Sequence, residues 1–138
     1  MADDFASLLA DIRRALPASR FTPVSEPELA AIRQRYPGVP EHYLAFLRHV
    51  GYGSLGDSNF MVYSGPCEPG DFFDPRTAAG LPGIVFIGDN LAGWMVGFDT
   101  RDGWRLVSVD SASPKPDSEK TRTVAEFIAA RVGDLEPG

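Results

Sequence analysis

The sequence predicts one domain in which helices cover a layer of β-strands. The densest strand signal is residues 84–110, IVFIGDNLAGWMVGFDTRDGWRLVSVD, where apolar runs are joined through a turn at 100–103. The residues before this stretch show mostly helical spacing of apolar side chains, and one further helix signal follows it. With 138 residues, 43% of them hydrophobic and 23% charged, the chain has the size and balance of a single domain over residues 1–138.

Three helices are predicted before the strands. The first covers about residues 3–16, where apolar side chains recur at helical spacing before Pro17. The second begins with a capping-box pattern at 25–28 and ends before Pro37. The third begins at Pro40, and its apolar face predicts burial. On this helix we expect His42 to face water and His49 to lie in the last turn, where a cation suits the helix dipole.

The next segments predict a turn, a strand and a long loop. Residues 51–56 match G-x-G-x-x-G, but they follow a helix and lead into a strand. A dinucleotide site needs the opposite order, so we interpret them as a flexible helix-to-sheet turn. The side chains of residues 59–64 would alternate between two faces, which predicts a strand. Residues 65–83 are acidic and rich in Pro and Gly, which predicts a long loop. We expect a short helical turn around 70–74 and expect the loop to pack on the core.

The register of the central hairpin depends on the number of residues in its loop. A slip of one residue moves every side chain to the other face of the sheet. We favour an even-numbered loop, which gives a core face made of Trp94, Val96, Phe98, Val107 and Val109. It leaves a half-covered face made of Met95, Trp104 and Leu106. With an odd-numbered loop, Trp104 and Leu106 share the face of Trp94, and Val107 and Val109 lie on the opposite face.

The C-terminal part predicts a loop, a helix and a tail. Residues 111–122 are polar and contain prolines, which is typical of a loop. Residues 123–126 match a second capping box, followed by apolar side chains at helical spacing. From Gly133 we expect a frayed tail.

The charge balance constrains the class of partner. The net charge is −6, and the pI is about 4.8. This argues against nucleic acid as a direct ligand, because phosphate binding needs clustered Lys and Arg. It permits a basic protein partner, although acidity also serves plain solubility. The N-terminus predicts neither a signal peptide nor a membrane span, so we expect a cytoplasmic protein without membrane association.

The sequence contains no recognisable catalytic or metal-binding set. Cys67 is the single cysteine and permits no intrachain disulfide. Neither histidine has a neighbouring nucleophile or ligand set in sequence, although spatial proximity is left open. Carboxylates are plentiful, but a catalytic pair requires a shifted pKa that the sequence does not reveal. We therefore expect no enzyme activity, no cofactor and no metal.

Three segments, in this order, resemble the SUKH superfamily. The segment VPEHYLAFLRHVGYGSLG is similar to that family's Leu-Pro, acid, Tyr and apolar-helix opening before Asn-Gly-Gly. The segment 84–110 is similar to its phenylalanine-rich strand, Gly-Asp, Gly and hairpin ending in Asp. The segment TVAEFIAARV is similar to its C-terminal Ser-Phe-x-x-Phe-Leu helix. The resemblance covers residues 25–132, and residues 65–83 match no part of the family.

This resemblance implies an α+β fold with helices packed on one side of a curved, mainly antiparallel sheet. It also implies an immunity protein that binds and neutralises a cognate polymorphic toxin, often a nuclease or deaminase, without catalysis or cofactor. We expect the toxin to be basic and to meet the sheet face that the helices leave free. The candidate partner-binding residues are Asp57, Tyr63, Glu68, Asp71, Phe72, Asp89 and Trp104.

Two other functions stay open at this point. One is a regulatory or scaffold domain that binds a host protein, which the sequence does not separate from an immunity protein. The other is a small hydrolase that uses Asp89 or His42. Gene neighbourhood separates the first from an immunity protein, and turnover that is lost on changing Asp89 or His42 to alanine supports the second.

Overall fold

The computed structural model describes residues 4–57 and 59–135 of the chain. Within this part the protein has an α+β fold with five α-helices and one open, curved, seven-stranded sheet. The helices are α1 (Phe5–Ala15), α2 (Glu26–Arg35), α3 (Glu41–His49), α4 (Pro75–Ala79) and α5 (Val124–Leu135). The strands are β1 (Arg20–Thr22), β2 (Tyr52–Leu55), β3 (Phe60–Cys67), β4 (Ile84–Asp89), β5 (Trp94–Asp99), β6 (Arg105–Asp110) and β7 (Ser113–Ser118).

The order of strands in the sheet is the same as their order in the chain. Each strand pairs antiparallel with its neighbours in sequence, from β1 at one edge to β7 at the other. The pairing shifts register within the β3–β4, β4–β5 and β6–β7 ladders. Such irregularities bend the strands that carry them, which suits a curved sheet. The α+β fold with a curved antiparallel sheet is thus confirmed.

The four longer helices pack on one face of the sheet, which we call the inner face. Side chains of α1, α2, α3 and α5 join one buried cluster with the sheet residues Leu55, Phe60, Val62, Val85, Ile87, Val96, Phe98 and Leu106. Two helix starts follow the capping patterns of the sequence. The Ser25 hydroxyl accepts the Glu28 N–H at 3.4 Å, and the Thr123 hydroxyl accepts the Glu126 N–H at 3.1 Å. Helix packing on one side is therefore confirmed for the longer helices.

The opposite, outer face is also buried at its centre. Its cluster contains Leu81, Ile84, Phe86, Met95, Val107 and Val109. The segment 68–83, with a 3₁₀ turn (Pro69–Asp71) and the short α4, lies over these residues through Phe73 and Leu81. The expectation that this face as a whole is free for a partner is therefore wrong, because the chain covers it with its own loop. The expectation that this loop is wrapped on the core is confirmed.

The register of the central hairpin is the odd-numbered one. Five residues, Thr100–Trp104, connect β5 to β6, so Phe98 lies opposite Leu106 and Met95 lies opposite Val109. The preference for an even-numbered loop was wrong. Gly103 and Trp104 both adopt positive φ, at 62° and 57°, which accommodates the extra residue. Because both faces of the hairpin are apolar, the side-chain pattern fits either register equally well.

The pairing of the short strands β1 and β2 requires glycine at two positions of the G-x-G-x-x-G pattern after α3. A side chain at Gly51 would place its Cβ 2.0 Å from the Thr22 carbonyl oxygen, and one at Gly53 would lie 1.9 Å from the Arg20 carbonyl oxygen. The two glycines therefore permit close approach of β1 to β2. The prediction of a flexible turn over residues 51–56 is therefore wrong for residues 52–55, which form β2 directly after Gly51.

The edge strand β7 occupies residues predicted as a polar loop. The Glu119 N–H donates to the Leu106 carbonyl at 3.0 Å, and Asp117 lies opposite Ser108 in the ladder. The pairing shifts register between Ser108 and Asp110, opposite the segment 113–117 that contains Pro114 and Pro116. Prolines are tolerated on edge strands and at such irregularities, so this polar sequence is compatible with an edge strand.

The ends of the described chain differ slightly from the prediction. Helix α5 continues through Gly133 to Leu135, where the sequence predicted a frayed tail, and residues 136–138 lie outside the described part. Helix α1 begins after its cap Asp4, whereas the predicted start at residue 3 lies outside the described residues. Among the described helices, none has the length and apolar character needed to span a membrane.

Tyr43 provides a first prediction about stability. Its ring is fully buried against Phe98, and its hydroxyl has no hydrogen-bond partner among the described residues. A buried hydroxyl without a partner costs free energy, so we expect Tyr43→Phe to stabilise the fold by about 1 kcal/mol. Urea unfolding at neutral pH measures this change, with the exposed Tyr52→Phe as the matched control.

The same residue predicts a pH dependence. Burial raises the pKa of Tyr43 above its ordinary value of 10.0. The folded state therefore holds this proton more tightly than the unfolded state, so stability is complete below pH 10.0 and declines as the pH rises further. Tyr43→Phe should lose less stability than the wild type between pH 9 and 11. An equal loss in both proteins would contradict the assignment.

Candidate partner-binding surface

One end of the sheet collects three acidic turns. In this antiparallel order, the turns that begin at Gly56, Asn90 and Ser111 all lie at the end where β2, β4 and β6 finish. Asp57 lies in the first turn, and Asp89 and Asp110 precede the other two. None of these turn residues is Lys or Arg. We call this region the acidic turn end.

The turn after β4 projects an exposed leucine from a fixed backbone. Leu91 has φ 62° and is 60% exposed, although left-handed backbone is unfavourable for such a residue. The Asp89 Oδ1 atom accepts the Leu91 N–H at 2.7 Å. The Asn90 Oδ1 atom accepts the N–H groups of Ala92 and Trp94 at 2.8 and 3.1 Å. These bonds fix the backbone of the turn, which keeps the apolar side chain of Leu91 exposed to solvent.

The carboxylate of Asp89 joins this turn to two aromatic rings on the rim of the outer face. Its Oδ2 atom accepts a hydrogen bond from the Tyr63 hydroxyl. The Tyr63 ring stacks on Phe72, with ring centroids 5.7 Å apart. Burial and the bond to Asp89 raise the pKa of Tyr63, so its hydroxyl remains a donor. Phe72 lies edge-on against Phe86 and is 43% exposed, so it is a second large apolar side chain partly open to solvent.

The structure brings together three of the seven candidate residues in direct contact. Tyr63, Phe72 and Asp89 form one connected group, and Asp57 is exposed at the same end of the sheet. The outer rim and the acidic turn end are therefore continuous through Asp89. That these residues contact a partner remains a prediction.

The other candidates have structural roles of their own. The Glu68 carboxylate accepts the Tyr36 hydroxyl at 2.9 Å and lies 3.5 Å from the Arg35 guanidinium, so its charge is partly compensated. The Asp71 carboxylate accepts the Glu68 N–H at 3.0 Å and caps the 3₁₀ turn. Both bonds fix the loop on which Phe72 lies.

Trp104 lies on the inner side of the sheet. Its ring packs against Tyr36 and Phe98, with centroid distances of 6.0 and 5.6 Å. Its expected position on the half-covered outer face followed from the even-numbered loop and is wrong for the same reason. Trp104 is therefore separated from the Tyr63–Phe72–Asp89 group by the sheet.

Leu91 is an exposed apolar residue that the sequence interpretation did not include among the candidates. The residues before it, Asp89 and Asn90, are of types that favour turns. A signal was present, because an apolar residue directly after Asp-Asn in a turn falls outside the alternation of both flanking strands. Its exposure depends on the left-handed backbone, which only the structure reveals.

The groups with possible reactivity are engaged in packing. The His42 Nδ1 atom accepts the Val124 N–H at 3.4 Å, and its ring packs on Phe98, so the expectation that it faces water is wrong. Burial, with the nearby Asp71 and Glu68 carboxylates, raises the pKa of the Cys67 thiol, which disfavours the thiolate. Within residues 4–57 and 59–135, no three His, Cys, Asp or Glu side chains are grouped to hold a metal ion.

Neither a scan of protein-family models nor a search of curated proteins finds a match for this chain.

Proposed function

We propose that this chain is a non-catalytic protein-binding module that neutralises a cognate bacterial toxin of nuclease or deaminase type in the cytoplasm. The resemblance of its three segments to the SUKH superfamily motivates the proposal. The observation that carries it is the acidic turn end, where the exposed Leu91 lies beside Asp89. An acidic surface with apolar anchors suits a basic protein partner.

The mechanism is occlusion of the toxin's substrate-binding surface. A nuclease or nucleic-acid deaminase binds phosphates through clustered Lys and Arg, so its binding surface is basic. The carboxylates of Asp57, Asp89 and Asp110 attract such a surface and speed association. Leu91 and Phe72 then supply apolar contacts that slow dissociation. No cofactor, nucleic acid or membrane takes part in this mechanism.

Coexpression with the product of the adjacent gene tests the proposal. We expect a stable complex on co-purification, together with rescue of bacterial growth when the gene product is a toxin. Rescue should disappear when the acidic turn end carries charge reversals such as Asp89→Lys with Asp110→Lys, while the variant remains folded by circular dichroism. Absence of a toxin among neighbouring genes, with no rescue from any toxin of the source, would contradict the proposal.

A further inference from the structure

A cavity of about 570 Å³ opens between α1, β1 and the end of α3. Its walls include Arg13 on α1, Arg20 on β1 and His49 on α3. Apolar side chains, among them Ile12 and Val50, form another part of its lining. This volume lies in the range typical of small-molecule sites. Its lining residue Ser19 accepts the Gly56 N–H at 2.7 Å, so the cavity borders the first turn of the acidic turn end.

The charge of this cavity is opposite to that of the whole chain. None of its lining residues is Asp or Glu, although the net charge of the chain is −6. Among the described residues, Arg13 and Arg20 have no ion-pair or hydrogen-bond partner for their guanidinium groups. By contrast, Arg33 and Arg48 pair with Glu41 and Glu26 at 2.9 and 2.8 Å.

The helix dipole accounts for only part of this arrangement. Arg13 lies in the last turn of α1 and His49 in the last turn of α3, where positive charge is favourable. Arg20 lies on a strand, so no helix end explains its position beside them. A guanidinium group presents donors in a planar fork, and two arginines that line one cavity suit a carboxylate or phosphate.

We propose that this cavity binds a small amphipathic anion, namely a phosphate monoester or carboxylate with an aromatic or branched apolar group. Arg13 and Arg20 bind the anionic group, and the apolar group lies against Ile12, Phe21 and Val50. The site is separate from the toxin-binding function proposed above and does not depend on it. No covalent step is involved, because the lining offers recognition by charge and apolar contact only.

Titration of the full chain with phenyl phosphate tests the proposal. We expect saturable binding by calorimetry, with amide chemical-shift changes confined to residues around positions 9–13, 19–23 and 49–50. Arg13→Gln and Arg20→Gln should each weaken binding at least tenfold, since each removes a charge-assisted contact. Arg14→Gln is the matched control, because Arg14 neighbours Arg13 on α1 but does not line the cavity. Its affinity should equal that of the wild type.

Two further probes separate the halves of the ligand. Inorganic phosphate and benzyl alcohol should each bind more weakly than phenyl phosphate. Lack of binding at millimolar phenyl phosphate would overturn the proposal, as would shifts located outside the cavity. Unchanged affinity in the Arg13→Gln, Arg20→Gln double variant would also overturn it. Urea midpoints of all variants confirm that lost binding does not reflect unfolding.

Discussion

Gly97→Ala is expected to destabilise the protein by about 3 kcal/mol. This is the upper end of the usual cost of an overpacked core, because the new methyl group would clash with backbone atoms of the neighbouring strand. Gly97 is on β5 and pairs with Phe86 on the neighbouring strand β4. A Cβ atom there would lie 2.0 Å from the Val85 carbonyl oxygen and 2.9 Å from the Phe86 Cα atom. A neighbouring side chain could rotate away, but a paired strand cannot. Urea unfolding followed by circular dichroism measures the change.

Gly133→Ala is the matched control for this prediction. It adds the same methyl group within α5, where no atom lies within 4 Å of the new Cβ atom apart from the helix's own backbone. Alanine has higher helix propensity than glycine, so this variant should gain about 0.5–1 kcal/mol. The two substitutions should therefore change the urea midpoint in opposite directions. A Gly97→Ala midpoint equal to that of the wild type would show that β4 and β5 are less close than described.

Leu91→Asn is expected to weaken binding of the cognate toxin at least 30-fold, or about 2 kcal/mol, without loss of stability. Leu91 presents an apolar side chain, 60% exposed, from a backbone with φ 62°. Asparagine tolerates left-handed backbone better than leucine, so the substitution removes the anchor and relieves strain. The urea midpoint should stay the same or rise while the dissociation constant increases. Isothermal titration against the toxin domain measures the affinity.

Tyr52→Thr is the control for the Leu91 prediction. Tyr52 is also exposed, at 38%, but it begins β2 at the opposite end from the turn that begins at Gly56. Threonine suits a strand, so the fold should be retained and toxin affinity unchanged. If Leu91→Asn binds the toxin as tightly as the wild type, the acidic turn end is not the contact surface. Toxin binding would then have to use a different surface of the molecule.

The sequence predicted the parts of the fold that depend on local chemistry. The starts of α2 and α5 follow from Ser25 and Thr123, whose hydroxyls each accept an N–H three residues later. The end of α2 follows from Pro37, which cannot continue a helix. The Tyr63, Phe72 and Asp89 candidates were chosen one by one from residue type. The structure shows that one carboxylate and one ring stack connect them.

The features that were missed depend on contacts between distant segments. The hairpin register could not be read from alternation because segment 68–83 buries the centre of the outer face, so the hairpin has buried apolar side chains on both faces. Strand β7 has a polar, proline-containing sequence, and its strand character comes from pairing with β6. The exposure of Leu91 depends on a backbone angle that apolar patterning does not encode.

The two prolines of β7 have a consequence for self-association. A second copy of the chain that extended the sheet beside β7 would find no amide donor at Pro114 or Pro116. Growth of the sheet from one molecule to the next through this edge is therefore discouraged.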